Sequence, residues 1–395
     1  MTPDDRIIST TKDLTWQFWF TLPIYPYSKR RTIRTEVLAD TIWTFDQIQG
    51  VFYVIVPIRM TVVKLDAGGL LVYAPVAPTR ECLRLLNELV AIHGDIEYII
   101  LPTISGLEHK VFVGPFARQF PQAQVWVAPE QWSFPVNLPL SWLGFPSQRT
   151  YTLPTDSSKT PFGSEFDYAI LETIDLGPGQ FAEIAFFHKK SHTLLVTDSL
   201  ISIPTKPPAI VTTDSTALLF HSKNLPGDTI VDTPANRQLG WWRICLFAMY
   251  FRPSLLEIRK WSYTIQASFT APNRSKQSYF GIYPFEWKPG WEKTFEILRN
   301  DGKLLVAPIL QSLILTRAPQ STLDWVNRVA EWDFQTIIPC HFDAPIAATP
   351  TEFRQAFAFL QTPSNSTLPD ADVRLIREID RQLVKWWIIK PSQKL

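Results

Sequence analysis

The stretch Leu101-Pro102-Thr103-Ile104-Ser105-Gly106-Leu107-Glu108-His109-Lys110 carries the clearest indication of the fold in this chain of 395 residues. An apolar strand ends at Leu101, and a short loop containing glycine then leads to Glu108 and His109 at a predicted helix start. Binding sites in α/β sheets form beyond the ends of strands. A carboxylate beside an imidazole can bind a metal ion or transfer a proton. The stretch therefore predicts an α/β sheet with a site at its edge.

The segments on either side of this stretch alternate between predicted strands and helices. Thr79 is a typical N-cap for a helix over 81–92, and Gly94 is a typical residue for its end. A strand over 96–101 leads into the loop, and a second helix is predicted from 109 to 119. This alternation is that of βαβ units and favours a layered sheet. Further strands are predicted over 52–57, 60–65, 70–73, 124–128, 168–176, 183–188, 193–197 and 336–338, and further helices over 241–251, 323–332, 352–360 and 373–389.

Composition sets limits on the class of protein. Apolar residues make up 46% of the chain and charged residues 19%, which allows a full core and excludes general disorder. The net charge of +1 gives no global attraction to nucleic acid, so we expect no nucleic-acid partner. Three cysteines, an odd number, indicate free thiols in a reducing compartment.

The sequence shows neither a secretory leader nor an apolar run of roughly 18 residues. We therefore expect a cytoplasmic protein, either fully soluble or peripheral to an internal membrane. The basic run from Lys29 to Arg34 lies beside an aromatic segment and could meet acidic lipid headgroups, or it could form a polar rim on a packed extension. The apolar helix from Trp241 to Phe251 suits burial better than a bilayer interface.

Four candidate metal ligands lie just beyond the C-terminal ends of predicted strands: Glu108, His109, Asp198 and His341. Such ends converge on one edge of an α/β sheet, so residues far apart in sequence can meet there. Two carboxylates and two imidazoles suffice for one divalent ion such as zinc, iron or manganese. Each position also has a simpler explanation, because histidine is common at helix starts and aspartate is common in turns after strands. The protein could therefore bind no metal at all.

Residues 60 to 350 resemble the metallo-β-lactamase superfamily, and in particular its divergent domain-of-unknown-function branch from cyanobacteria and plastids. His109 matches the last histidine of the family's metal motif and Glu108 matches its aspartate. The segment ending in Asp198 is similar to the strand that delivers the family's bridging aspartate, and the segment ending in His341 is similar to the strand that delivers its last histidine. The resemblance implies an αββα sandwich with a metal site.

All three histidines of the family's first metal site are replaced, and in the second site Glu108 stands in place of aspartate, which would move the carboxylate and weaken binding. Ile104 and Gly106 stand where the motif has its first two histidines, and Gln180 replaces the histidine of a Pro-Gly-His turn. The strand over 70–73 is followed by Ala74 rather than aspartate. The resemblance therefore implies at most a mononuclear site, and Lys110 could neutralise Glu108 in place of a metal.

Two function classes follow. The first is a hydrolase of unknown substrate in which Glu108, His109 and His341 hold one ion, with Asp198 as a further ligand or as general base. The second is a non-catalytic binding or assembly protein that uses the same scaffold, with a small molecule, a protein or a membrane surface as partner. We predict five segments: an aromatic and basic extension (1–58), the two halves of the metallo-β-lactamase-like domain (59–204 and 296–362), an irregular insertion (205–295) and a C-terminal tail (363–395).

Overall fold

The computed structural model describes residues 10–104, 108–133, 137–177, 179–361, 368–386 and 388–392. Gly106, which stands at a histidine position of the family's metal motif, lies outside the described residues, as does Pro178 of the turn before Gln180. Trp387, within the predicted C-terminal helix, lies outside them too. Most of the predicted link between 363 and 370 lies outside them as well.

Seven strands form the first sheet, and they are arranged in chain order. The first four are antiparallel to one another, and the remaining three continue the sheet in parallel. The strands are β1 (Ile33–Leu38), β2 (Ile42–Val51), β3 (Val54–Lys64), β4 (Leu70–Tyr73), β5 (Ile96–Leu101), β6 (Gln124–Val127) and β7 (Thr150–Thr152).

Strand β3 is continuous where the sequence predicts two separate segments around Pro57. It pairs with β2 over its whole length, whereas β4 covers only the part from Thr61 onward. Pro57 therefore lies where β3 has a strand neighbour on one side, and proline is tolerated at such an edge. Pairing between β2 and β3 also crosses residue 58, at which we placed the end of the extension. The division into five segments stays a prediction.

The second sheet has five strands in the order β16-β15-β12-β11-β8, with β12 and β15 parallel. The predicted strand over 168–176 is divided here into β8 and β9. The remaining strands are β8 (Phe166–Ile170), β9 (Ile174–Asp175), β10 (Gln180–Phe181), β11 (Ile184–His188), β12 (Thr193–Val196), β13 (Leu256–Ile258), β14 (Phe285–Trp287), β15 (Thr336–Pro339) and β16 (Ile346–Ala347).

The predicted insertion over 205–295 is more regular than its prolines suggest. Pro234 stands at the first turn of a long helix, where the N–H that proline lacks is not needed. Thr233 caps this helix through its side chain. The α-helices are α1 (Arg80–His93), α2 (Lys110–Gln119), α3 (Thr216–Ser222), α4 (Pro234–Tyr250), α5 (Trp261–Thr270), α6 (Trp291–Arg299), α7 (Pro308–Leu313), α8 (Pro319–Val329), α9 (Pro350–Ala356) and α10 (Asp370–Lys385).

Three apolar clusters show the order of the layers. One joins α1 and α2 to the outer face of the first sheet, for example Leu86 and Phe112 against Val72. The second lies between the two sheets and includes Tyr73 and Phe186. The third joins the other face of the second sheet to α4 and α8. Alternate residues of each strand thus face opposite layers, as the pleat requires. The predicted αββα sandwich is confirmed.

Helix α4 belongs to the core rather than to a bilayer interface. Trp241 is fully buried, and its indole N–H donates to the carbonyl oxygen of Pro204 at 2.9 Å. The ring of Trp242 stacks on that of Phe295. The burial that we favoured for this helix is therefore confirmed. Among the described residues, no helix combines the length and apolarity needed to cross a bilayer.

The close approach of α3 and α4 depends on a glycine. A Cβ atom at Gly240 would lie 1.8 Å from the carbonyl oxygen of Leu218, and a backbone atom cannot yield as a flexible side chain does. We therefore expect Gly240→Ala to lower the free energy of unfolding by about 1–3 kcal/mol or more, measured by urea denaturation. Gly227→Ala is the matched control, because no atom lies within 4 Å of a Cβ there. Equal transition midpoints for the two variants would contradict this packing.

Candidate metal centre

The structure brings three of the four candidate ligands together. Glu108 lies just before α2, and Asp198 and His341 follow strands β12 and β15. Because β12 and β15 are parallel neighbours with Val196 opposite Pro339, both strands end at the same edge of the sheet. One ligand atom from each of Glu108, Asp198 and His341 lies within 4.8 Å of the other two. These three residues are called the rim cluster below, and their role as metal ligands stays a prediction.

His341 is the centre of the rim cluster. Its Nε2 lies 3.1 Å from Oε2 of Glu108 and 3.0 Å from Oδ1 of Asp198. Its Nδ1 lies 2.8 Å from the carbonyl oxygen of Pro57, which can only accept. Desolvation disfavours the charged ring, but the two carboxylates outweigh it and raise the pKa of His341 well above its ordinary value. With both nitrogens facing acceptors, His341 is an imidazolium here.

Glu108 is the complementary charge. Desolvation acts to raise the pKa of Glu108, but the charge and hydrogen bond of His341 lower it to about 2, with a further contribution from Gln49. The Glu108 side chain is 42% exposed and that of Asp198 is 35% exposed, whereas the His341 side chain is only 11% exposed. The cluster is therefore open to solvent on its acidic side and closed behind the histidine.

His109 lies outside the cluster, although it is next to Glu108 in sequence. It is buried, and its Nδ1 lies 3.0 Å from the carbonyl oxygen of Pro75, so this nitrogen carries the proton. Its Nε2 is buried and makes no hydrogen bond within the described residues. Desolvation lowers the pKa of His109 against the opposing charge of Glu108. The ring is therefore neutral, with a bare lone pair on Nε2.

Lys110 does not serve as the partner of Glu108 that the sequence allows. Its ammonium group is buried and donates to the carbonyl oxygens of Ile104 at 3.2 Å and Trp132 at 2.5 Å. Desolvation lowers the pKa of Lys110 to about 8. Lys110 therefore links the loop at Ile104 to the loop at Trp132. The charge of Glu108 is neutralised by His341 instead.

A third acidic residue, Glu183, positions Asp198 and was not among the residues predicted from the sequence. The carboxylate of Glu183 is completely buried and accepts hydrogen bonds from the backbone N–H groups of Thr197, Asp198 and Ser199, at 2.7, 3.0 and 2.8 Å. The hydroxyl of Ser199 donates a fourth at 2.9 Å. Desolvation and the Asp198 charge raise the pKa of Glu183, and the three N–H groups oppose that rise. The sequence signal that could have indicated Glu183 is an acidic residue directly before the apolar strand β11.

Arg59 fixes the backbone on both sides of His341, as Glu183 fixes the backbone at Asp198. This buried side chain on β3 donates to the carbonyl oxygens of Pro339 at 2.6 Å and Phe342 at 3.0 Å, on either side of the histidine. Its Nε lies 2.7 Å from Oδ1 of Asp46, the residue opposite it on β2. The first sheet therefore fixes the backbone that carries His341. Alternation along β3 indicated which face Arg59 takes but not which loop it reaches.

The basic run of the N-terminal segment makes contacts within the protein. Arg30 is fully buried beside the Phe112 ring, and desolvation lowers its pKa to about 10 against the opposing charge of Glu108. Arg31 pairs with Glu81 at 3.1 Å, and Arg34 pairs with Glu88 at 2.9 Å. These pairs suit the polar-rim alternative. Membrane contact at this run stays a prediction.

The four layers and the cluster at their rim define a protein with a metallo-β-lactamase-like fold. The chain belongs to the family described as Domain of unknown function (DUF4336), whose family model matches residues 39–359. Comparison with curated proteins gives no match.

Solved structures similar to this chain include two metallo-β-lactamases and a flavodiiron core. The DIM-1 enzyme exposed to ceftazidime is 12% identical, with a TM-score of 0.41, and the match covers 83% of this chain and 96% of that one. The metal-soaked Flv1 flavodiiron core from Synechocystis sp. PCC6803 is 9% identical, with a TM-score of 0.40 and coverage of 84% and 61%. FIM-1 from Pseudomonas aeruginosa, in its mono-zinc form, is 10% identical, with a TM-score of 0.37 and coverage of 85% and 96%.

Glu183 offers a direct test of how Asp198 is held. In Glu183→Gln an amide NH₂ replaces one of two acceptor oxygens, so some of the four donors lose their partner. We expect a loss of about 2–4 kcal/mol in the free energy of unfolding, measured by urea denaturation. Glu165→Gln is the control, because Glu165 accepts a single backbone N–H, from Asp66, in an exposed position. A loss no larger than in the control would show that Glu183 does not hold this loop.

Proposed function

We propose that the protein binds one divalent metal ion at Glu108, Asp198 and His341 and uses it for hydrolysis. The observation that carries this proposal is the convergence of three donor atoms, from three distant segments, within 4.8 Å of one another. Two carboxylates and one imidazole are a common donor set for zinc, iron or manganese.

The hydrogen bonds that orient His341 and His109 are of the kind found at metal sites. Histidines that bind metals usually donate their second ring N–H to a carboxylate or a backbone carbonyl. His341 contacts Pro57 and His109 contacts Pro75 in this way, through Nδ1. This leaves Nε2 as the nitrogen that could bind a metal ion, in His341 only after the proton shared with Glu108 and Asp198 has left. The Nε2 of His109 is buried without a hydrogen-bond partner in the described part of the chain, but His109 lies outside the rim cluster, so the proposal rests on the other three residues.

The residues of the proposed site would have different roles in hydrolysis. A divalent ion bound there would polarise a substrate oxygen and acidify water. Asp198 is half-exposed and adjacent to His341, so its carboxylate can act as a ligand or accept a proton from water. Glu108 stays ionised at neutral pH, because the pKa of its carboxyl is about 2. Glu183 and Arg59 are positioning residues, because they hold the backbone at Asp198 and at both sides of His341.

The test is metal analysis of protein purified without chelator. We expect about one equivalent of zinc, iron or manganese per chain. In Asp198→Asn and His341→Gln the bound metal should fall at least about tenfold, because each removes a donor. The matched control is the double variant His192→Gln and Asp333→Asn, which removes an exposed histidine–aspartate pair of 3.1 Å elsewhere on the surface.

Metal contents that are equal in the site variants and in the control would refute the proposed site. A chain that binds no metal, even after incubation with each of the three ions and removal of the excess, would refute it as well. Circular dichroism of every variant separates lost binding from lost folding.

The second candidate function, a non-catalytic scaffold, is favoured by a specific observation. The His341 imidazolium already lies between the two carboxylates, where it neutralises them as a metal ion would. A cluster that is permanently closed by this ion pair needs no metal, and its role would be to join the two sheets at their rim.

The scaffold predicts a particular dependence of stability on pH. The pKa of Glu108 is lowered from 4.5 to about 2, so its contribution is present above pH 4.5 and is lost as pH falls towards 2. The pKa of His341 is raised from 6.5, so its contribution is present below pH 6.5 and is lost as pH rises through the raised value. The difference in the free energy of unfolding between wild type and His341→Gln should therefore be largest between pH 4.5 and 6.5. A difference that does not vary from pH 2 to 9 would contradict the ion pair.

A further inference from the structure

Helix α5 (Trp261–Thr270) has its apolar and polar faces reversed relative to an ordinary surface helix. The side chains that it buries are those of Thr264 and Ser268. Trp261, Ile265 and Phe269 are 62%, 49% and 64% exposed. Because these three residues are spaced by four, they form one stripe along the helix. The apolar side of this helix is therefore exposed to solvent, and a binding partner could bury it.

Two strained turns beside this helix also expose aromatic side chains. Phe52 and Tyr53 form the two-residue turn between β2 and β3, with φ angles of 49° and 64°. Tyr279 and Phe280 also have positive φ, at 48° and 57°. Turns of this kind favour asparagine and glycine, and bulky residues in the left-handed region are strained. Phe52 is nevertheless 72% exposed and Phe280 is 61% exposed, so folding gains little from either ring.

The turn at Tyr279 and Phe280 contacts both the turn at Phe52 and Tyr53 and the C-terminal end of α5. The ring of Tyr279 contacts those of Phe52 and Tyr53, with centroids 6.4 and 4.9 Å apart. Gly281, the residue after Phe280, packs so closely on the C-terminal end of α5 that a Cβ there would lie 2.7 Å from Cβ of Ala271. The stripe of α5 together with Phe52 and Phe280 is called the aromatic surface below.

The segment that carries most of the aromatic surface is basic, although acidic residues border it, and Arg259 lies 3.7 Å from Glu286. The segment from 258 to 285 contains Arg259, Lys260, Arg274 and Lys276 and has neither aspartate nor glutamate. The guanidinium of Arg274 lies over the Phe269 ring at 5.6 Å, and that of Arg259 lies over the Tyr263 ring at 5.3 Å. The net charge of the whole chain is only +1, so this basic excess is local.

We propose that the aromatic surface docks on an anionic lipid bilayer. Aromatic side chains of this type partition to the headgroup level of a membrane. A helix whose apolar face is bordered by basic residues lies in that interface and binds anionic lipids. An anionic bilayer matches aromatic side chains that are bordered by basic residues, here Lys260, Arg274 and Lys276. The proposal is independent of the metal centre.

The test is flotation of the full-length protein with vesicles of phosphatidylcholine containing about 30% phosphatidylglycerol. We expect binding that is weakened by added salt and is largely absent with vesicles of phosphatidylcholine alone. The double variant Trp261→Ser and Phe269→Ser should reduce the bound fraction about tenfold. Arg274→Gln with Lys276→Gln should reduce it in the same direction. Trp142→Ser is the matched control, because Trp142 is 76% exposed and lies outside the aromatic surface.

Unchanged flotation of the Trp261 and Phe269 variant would overturn the proposal, and so would equal binding to the two kinds of vesicle. Absence of flotation would overturn it as well. If the wild type instead forms dimers without lipid that the same variant abolishes, the surface belongs to a protein interface. Thermal melting checks that each variant is folded, and metal content, which the proposal leaves unchanged, separates this result from that of the metal centre.

Discussion

The guanidinium of Arg59 is the contact on which the rim of this molecule depends. It reaches from β3 in the first sheet, where it pairs with Asp46, to the carbonyl oxygens of Pro339 and Phe342 in the second. A buried charge is tolerated only when it is paired and hydrogen-bonded. Since these partners come from both sheets, the charge of Arg59 requires the two sheet edges to meet. The rim cluster forms where they do.

Two members of the rim cluster, His341 and Asp198, are each held by a different neighbour. Pro57 orients His341 through its carbonyl oxygen, and Glu183 fixes the backbone at Asp198. A proton on Nε2 of His341 and a metal ion would interact with the same two carboxylates, so the two exclude one another. Metal affinity at such a site rises with pH as the proton leaves. The two proposed functions thus correspond to two states of one set of contacts, which would differ in whether a metal ion displaces the proton.

The tryptophan-rich segments show that an apolar sequence pattern does not indicate whether its side chains are buried or exposed. The apolar pattern from Trp241 to Phe251 favours burial over a bilayer interface, and Trp241 is indeed fully buried beneath the second sheet. Helix α5 also has an apolar sequence pattern, but it exposes its aromatic side chains. Exposure depends on which layer covers a helix, and that is decided by chain segments far from the helix itself.

The sequence by itself determined the features that depend on neighbouring residues. The Thr79 cap, the strand ending at Leu101 and the placement of Asp198 and His341 beyond strand ends follow from local hydrogen bonding and the period of apolar residues. Only the tertiary structure decided that His109 lies outside the rim cluster and that Glu183 and Arg59 support it. Those outcomes depend on pairing between segments as much as 280 residues apart, as for Arg59 and Pro339. No local pattern records such pairing, because it is set by how the layers pack.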